Sequence, residues 1–151
     1  MSEPVRVIRE VELVAADPTA GMLRKKAFEL PILWAGRVET APGAISGWHH
    51  HDLNETSLYV VSGILRLEFE GGEGYLDAMP GDFIHVPAFL PHMEINPSDS
   101  EPFRWVVVRS TSTPIVVNLP ANTWPQATEA LAERGVDRTD IGRIGDGHAS
   151  R

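Results

Sequence analysis

Between Ile64 and Glu70 the chain alternates strictly, with Leu65, Leu67 and Phe69 on one side and Arg66, Glu68 and Glu70 on the other. A period of two is what a strand with one buried face requires, because successive side chains point to opposite faces. Shorter β-rich stretches recur at residues 5–14, 32–40, 56–61, 75–78, 82–86, 92–96, 103–109 and 115–119. They are punctuated by Asp17-Pro18, Leu30-Pro31, Ser62-Gly63, Gly71-Gly72-Glu73-Gly74, Pro80-Gly81 and the polar loop 97–102, all turn chemistry. Residues 19–30 have no clear period, and Pro31 limits any helix there. One helix is predicted, over residues 124–135, with Pro125 suited to a first helical position and Gly135 to a C-terminal cap. Many short strands with one terminal helix predict an all-β barrel or sandwich. The expected organisation is an N-terminal strand and connector (1–27), a barrel (28–119), and a C-terminal helix with a polar tail (120–151).

Composition narrows the chemistry. The 151 residues are enough for one domain with a real core, and 42% hydrophobic with 23% charged is the balance of a globular protein. A formal charge of −8 argues against a nucleic-acid partner, since Arg24-Lys25-Lys26 is the only basic cluster. No apolar run is long enough to span a bilayer and no signal-peptide segment is evident, so no membrane partner and a cytoplasmic location are expected. With no cysteine, disulfides, thiolate ligands and a cysteine nucleophile are excluded. Any metal site must use histidine, carboxylate, hydroxyl or water.

Three of the six histidines are consecutive, at 49, 50 and 51. They follow a Gly/Pro-rich, bent-strand stretch, and on a strand His49 and His51 share a face while His50 points away. Two imidazoles so placed can reach one metal ion, and His92 is the candidate for a third ligand. Alone, the triplet would read as a solvated loop. The gapped pattern Gly43-x5-His49-x-His51, then Glu55 and Gly63, resembles the first motif of the cupins. Gly81-x5-Pro87-x4-His92-x3-Asn96 resembles the second. The two motifs span 54 residues, from Gly43 to Asn96, in the right order.

The resemblance implies a cupin-type β-barrel or jelly roll with a divalent metal held by His49, His51 and His92. The family's fourth ligand, a glutamate, matches imperfectly: the usual spacing before Gly63 falls on Thr56, with Glu55 one position earlier. A one-residue shift reverses a strand side chain's face, so Glu55 would ligate only if a loop or bulge re-aimed it. A three-histidine site with Thr56 nearby is therefore expected. Phe89 stands where a glycine is common and is expected at the pocket mouth. His85 reads as a pocket-wall residue, and His148 as solvated tail. Glu94 shares a strand face with His92 and is a candidate partner for a ligand histidine or a general base, with a surface salt bridge as the alternative, and Glu55 is a second candidate proton carrier. Trp34, Trp48 and Trp105 read as core before cavity wall, and Asn96 as a structural turn residue.

Fold does not give function. The reading favoured by the sequence is a small metal-dependent enzyme acting on a small organic molecule, most concretely a dioxygenase with Fe(II). Neutral imidazoles also suit Zn, Ni or Cu, and Mn is a further candidate, which leaves a non-redox isomerase, cyclase or lyase as the alternative. A non-catalytic ligand-binding cupin is the third. The apolar, Trp-bearing strands predict a homodimer.

Overall fold

The computed structural model describes residues 2–19, 21–112 and 116–120, with the backbone alone at 17–19. The expected helix at 124–135 lies outside the described residues. Among the described residues a 3₁₀ turn (Glu10–Glu12) precedes eleven strands: β1 (Val14–Thr19), β2 (Met22–Leu30), β3 (Leu33–Thr40), β4 (His49–His50), β5 (Thr56–Ser62), β6 (Leu65–Phe69), β7 (Leu76–Ala78), β8 (Phe83–Val86), β9 (His92–Ile95), β10 (Phe103–Arg109) and β11 (Val117–Asn118). They form two antiparallel sheets, one ordered β1-β2-β3-β10-β5-β8 and the other β11-β4-β9-β6-β7. Strands adjacent in sequence are repeatedly split between sheets, as in a jelly roll. Among the described residues, no helix is long and apolar enough to cross a membrane.

The core between the sheets is set by the period-two pattern. β10 lies between β3 and β5, so Trp105 stands beside Val38 and Val60, and Val107 beside Gly36 and Leu58. From the other sheet Leu65 and Leu67 complete the cluster. Trp34 and Trp105 are each 1% exposed. Such a side chain removes on the order of 200 Å² from water, a gross gain of about 5 kcal/mol. The buried Trp105 indole N–H donates to Thr40 Oγ1 at 3.1 Å, which satisfies its polar handle. Gly36 makes room for Trp34: a Cβ there would meet the Lys25 carbonyl at 2.5 Å and the indole edge at 2.8 Å.

Two sequence expectations need correction. The alternating residues 5–14 are not a strand; the first ladder begins at Val14 and runs through Asp17-Pro18. Proline is tolerated because β1 is a sheet edge, and its register with β2 shifts between Ala16 and Thr19. Residues 22–30, which have no clear period, form the long strand β2. Its burial is irregular beyond Arg24, with a register shift between Lys26 and Phe28, and that shift erases the alternation in the sequence.

Asn96 has the structural role expected of it. Its amide nitrogen donates to the carbonyls of Thr40, Ala41 and Glu101 at 2.9–3.2 Å, and its oxygen accepts from Ser98 N–H. One side chain thus ties together the ends of β3 and β9 and the entry to β10.

Candidate metal centre

His49 and His92 are direct cross-strand partners on β4 and β9. Side chains of such a pair point to the same face, and their ring centroids are 4.4 Å apart. His51, just past the end of β4, brings its ring to 5.0 Å from each of the other two. One nitrogen from each ring lies within 4.8 Å of the others, and all three residues are buried. His50 alternates outward and is half-buried.

The two strand histidines are oriented by backbone carbonyls. His49 Nδ1 is 2.7 Å from the Gly47 carbonyl and His92 Nδ1 is 2.9 Å from that of Leu90. A carbonyl only accepts, so each Nδ1 carries the proton in the neutral ring, and each Nε2 lone pair faces the centre. Fixing a ligand's tautomer through its other nitrogen is how metal-binding histidines are prepared. The donor set fits a divalent transition ion.

Glu94 lies two residues beyond His92 on the same face of β9 and is 3% exposed. Its Oε2 is 3.9 Å from His49 Nε2 and its Oε1 is 3.9 Å from His92 Nε2. One carboxylate therefore spans both ring nitrogens.

Of the other sequence candidates, Thr56 points inward on β5 in line with Leu58 and Val60, and is 2% exposed. Glu55 goes the other way. It is exposed, with Oε2 2.6 Å from His85 Nε2, and this hydrogen bond holds its carboxyl below the usual carboxylate range. No loop or bulge re-aims it: Glu55 is fixed to Ser110 by its own backbone N–H and C=O. Strand alternation then leaves Thr56 in and Glu55 out. His85 stands at the rim of an apolar cavity that also touches His92. Phe89 is 53% exposed with its ring 6.2 Å from that of His50, and is not among that cavity's lining residues. Its φ of +61° explains why glycine is usual there. Trp34 and Trp105 are core, and Trp48 is buried outside the main cluster.

Two positioning residues carried no signal in the sequence. The Ser46 hydroxyl accepts the Glu94 N–H at 2.9 Å, while Ser46 N–H donates to the Glu94 carbonyl. Asn54, buried, donates twice to the His51 carbonyl, from its backbone and its side chain, and its Oδ1 accepts from Thr111. A short polar residue in a loop looks the same in sequence whether or not it braces a ligand.

The Cupin domain family matches residues 36–109, which include all three histidines, Thr56 and Glu94. The chain belongs to the cupins. No curated protein matches it closely enough to count as a relative. Among solved structures it is similar to KdgF from Halomonas sp., with 24% identity, 73% of this chain and 96% of that one covered, and a TM-score of 0.63. The polyketide cyclase RemF from Streptomyces resistomycificus gives 18% identity, 87% and 97% coverage and a TM-score of 0.67. A sugar phosphate isomerase of the cupin superfamily from Silicibacter pomeroyi gives 26%, 61% and 60%, and 0.53.

Proposed function

We propose that this cupin is a metal-dependent enzyme acting on a small organic molecule by proton transfer, as an isomerase, cyclase or lyase does. The observation that carries the reading is Glu94, a 3%-exposed carboxylate with Oε2 3.9 Å from His49 Nε2 and Oε1 3.9 Å from His92 Nε2. Burying a carboxylate is costly, and its position beside the histidine face gives it a use. A bound divalent ion supplies a Lewis acid that polarises a substrate carbonyl or hydroxyl. His49, His51 and His92 would hold that ion, with the His49 and His92 rings fixed by the Gly47 and Leu90 carbonyls. Glu94 would take and return a proton at Oε1 or Oε2, with Ser46 keeping its backbone in place. The cyclase and the sugar phosphate isomerase among the similar structures are in keeping with non-redox chemistry.

A dioxygenase with Fe(II) is the second reading. It is favoured by the donor set itself, three neutral imidazoles with Thr56 rather than a glutamate facing inward from β5. The two separate cleanly. Zinc-loaded protein should turn over enolisable carbonyl substrates without oxygen, and Glu94→Gln should lower that turnover by roughly 10²–10⁴-fold while metal content stays unchanged. Oxygen uptake with Fe(II), and no anaerobic turnover with zinc, would replace the proton-transfer reading with the dioxygenase.

A further inference from the structure

A cavity of about 250 Å³ opens between β7 and β8, the edge strands of the two sheets, and reaches His92. Leu67, Phe69, Leu76, Ile84, Val86 and Leu90 form its wall, with Pro87. Among the described residues its only nitrogen-bearing side chains are His92 inside and His85 at the rim. Among the described residues, no arginine, lysine, amide or carboxylate lines it. The ladder between β6 and β9 joins this wall to the chemistry. Phe69 is the direct cross-strand partner of His92, and Leu67 that of Glu94. Facing pairs of this kind are in side-chain contact range, so a molecule lying on Phe69 has its end at His92, one strand repeat from Glu94.

We propose that this cavity takes the body of the substrate, and that the substrate is an apolar, ring-bearing molecule with one oxygen-bearing end, not a sugar or sugar phosphate. The inference rests on the metal-enzyme reading only in that His92 is shared by the cavity and the ligand set. A sugar entering here would exchange water for hydrocarbon around most of its hydroxyls, with only the side chains of His85 and His92 on the wall to hydrogen-bond, which disfavours it. A phosphate would meet no cationic side chain. An aromatic ring gains from the same wall by leaving water. Size agrees: a cavity of roughly 150 Å³ lined by such residues holds benzene, so the space here suits one or two fused rings.

Leu76 gives the test, because it lines the cavity yet is 60% exposed and can be changed without opening the core. Wild-type and Leu76→Lys proteins, each loaded with zinc, would be titrated with 2-naphthol by its fluorescence and with glucose 6-phosphate by calorimetry. Saturable one-to-one binding of 2-naphthol is expected, weakened roughly tenfold by Leu76→Lys at an unchanged melting temperature, with no binding of glucose 6-phosphate. Tighter binding of glucose 6-phosphate, or equal 2-naphthol affinity in the two proteins, would overturn the proposal. The same titration after metal removal keeps the two readings apart. A protein that takes up no zinc yet binds 2-naphthol in a Leu76-dependent way supports the cavity assignment and sinks the metal centre. Zinc uptake without 2-naphthol binding overturns the cavity assignment alone.

Discussion

Gly43 and Gly63, the first and last residues of the first cupin motif, should respond very differently to alanine. Both have left-handed backbones, with φ of +71° and +80°. For a residue with a Cβ that conformation costs about 1–2 kcal/mol. The loss of unfolded-chain freedom on replacing glycine offsets part of this equally at both sites. Space separates them. A Cβ at Gly43 would meet nothing within 4 Å, whereas at Gly63 it would lie 2.7 Å from the Pro102 carbonyl oxygen and 2.9 Å from Phe103 Cα. Those are backbone atoms at the entry to β10, and they can give way only by moving a core strand. Overpacking of that kind adds about 1–3 kcal/mol. Gly63→Ala should therefore lose about 2–5 kcal/mol against about 1–2 kcal/mol for Gly43→Ala. Urea unfolding followed by tryptophan fluorescence measures both, with an unchanged slope certifying the comparison. Equal losses, or a larger one at Gly43, would refute the close approach of the β5–β6 turn to β10.

Three further outcomes are expected. Leu67→Ala and Val107→Ala, 5% and 0% exposed in the core cluster, should each cost roughly 2–4 kcal/mol; unchanged urea midpoints would mean the inward faces of β6 and β10 are misassigned. Phe89→Gly should be neutral or stabilising by up to about 1 kcal/mol, since it relieves a positive φ at a half-exposed side chain, and a clear loss of stability would show that the Phe89 ring is needed against His50. The Glu55 carboxyl is held below its ordinary value of 4.5 by the His85 hydrogen bond, so its contribution is present above that value and lost as pH falls through the depressed one. Melting temperatures of wild type and His85→Ala should thus converge on acidification below that point and on adding salt, whereas a gap that widens in acid would contradict the assignment.

The legible parts of the molecule were those where local pattern and tertiary environment agree. β6 could be read because Leu65 and Leu67 turn into the core in alternation with Arg66, although Glu68, which the pattern puts on the polar face, is 1% exposed. The three-histidine cluster was legible because His49 and His51 are one strand repeat apart and His92 lies within the second motif. β2 was not, because a register shift between Lys26 and Phe28 breaks its period. The role of Glu94 was only half legible: its face followed from alternation, but its bridging of His49 and His92 depends on β4 lying beside β9, a pairing across 43 positions of chain from His49 to His92. Ser46 and Asn54 were silent for the same reason, since what they brace becomes visible only when distant strands meet.

Metal content is the most direct measurement of the central claim. Protein prepared without a polyhistidine tag, as wild type and as His92→Ala, would be assayed for bound transition metal by elemental analysis. The three-histidine centre predicts one equivalent in the wild type and a loss of most of it in the variant, with the barrel still folded. Equal metal in the two proteins, or none in either after incubation with zinc and iron, would contradict it.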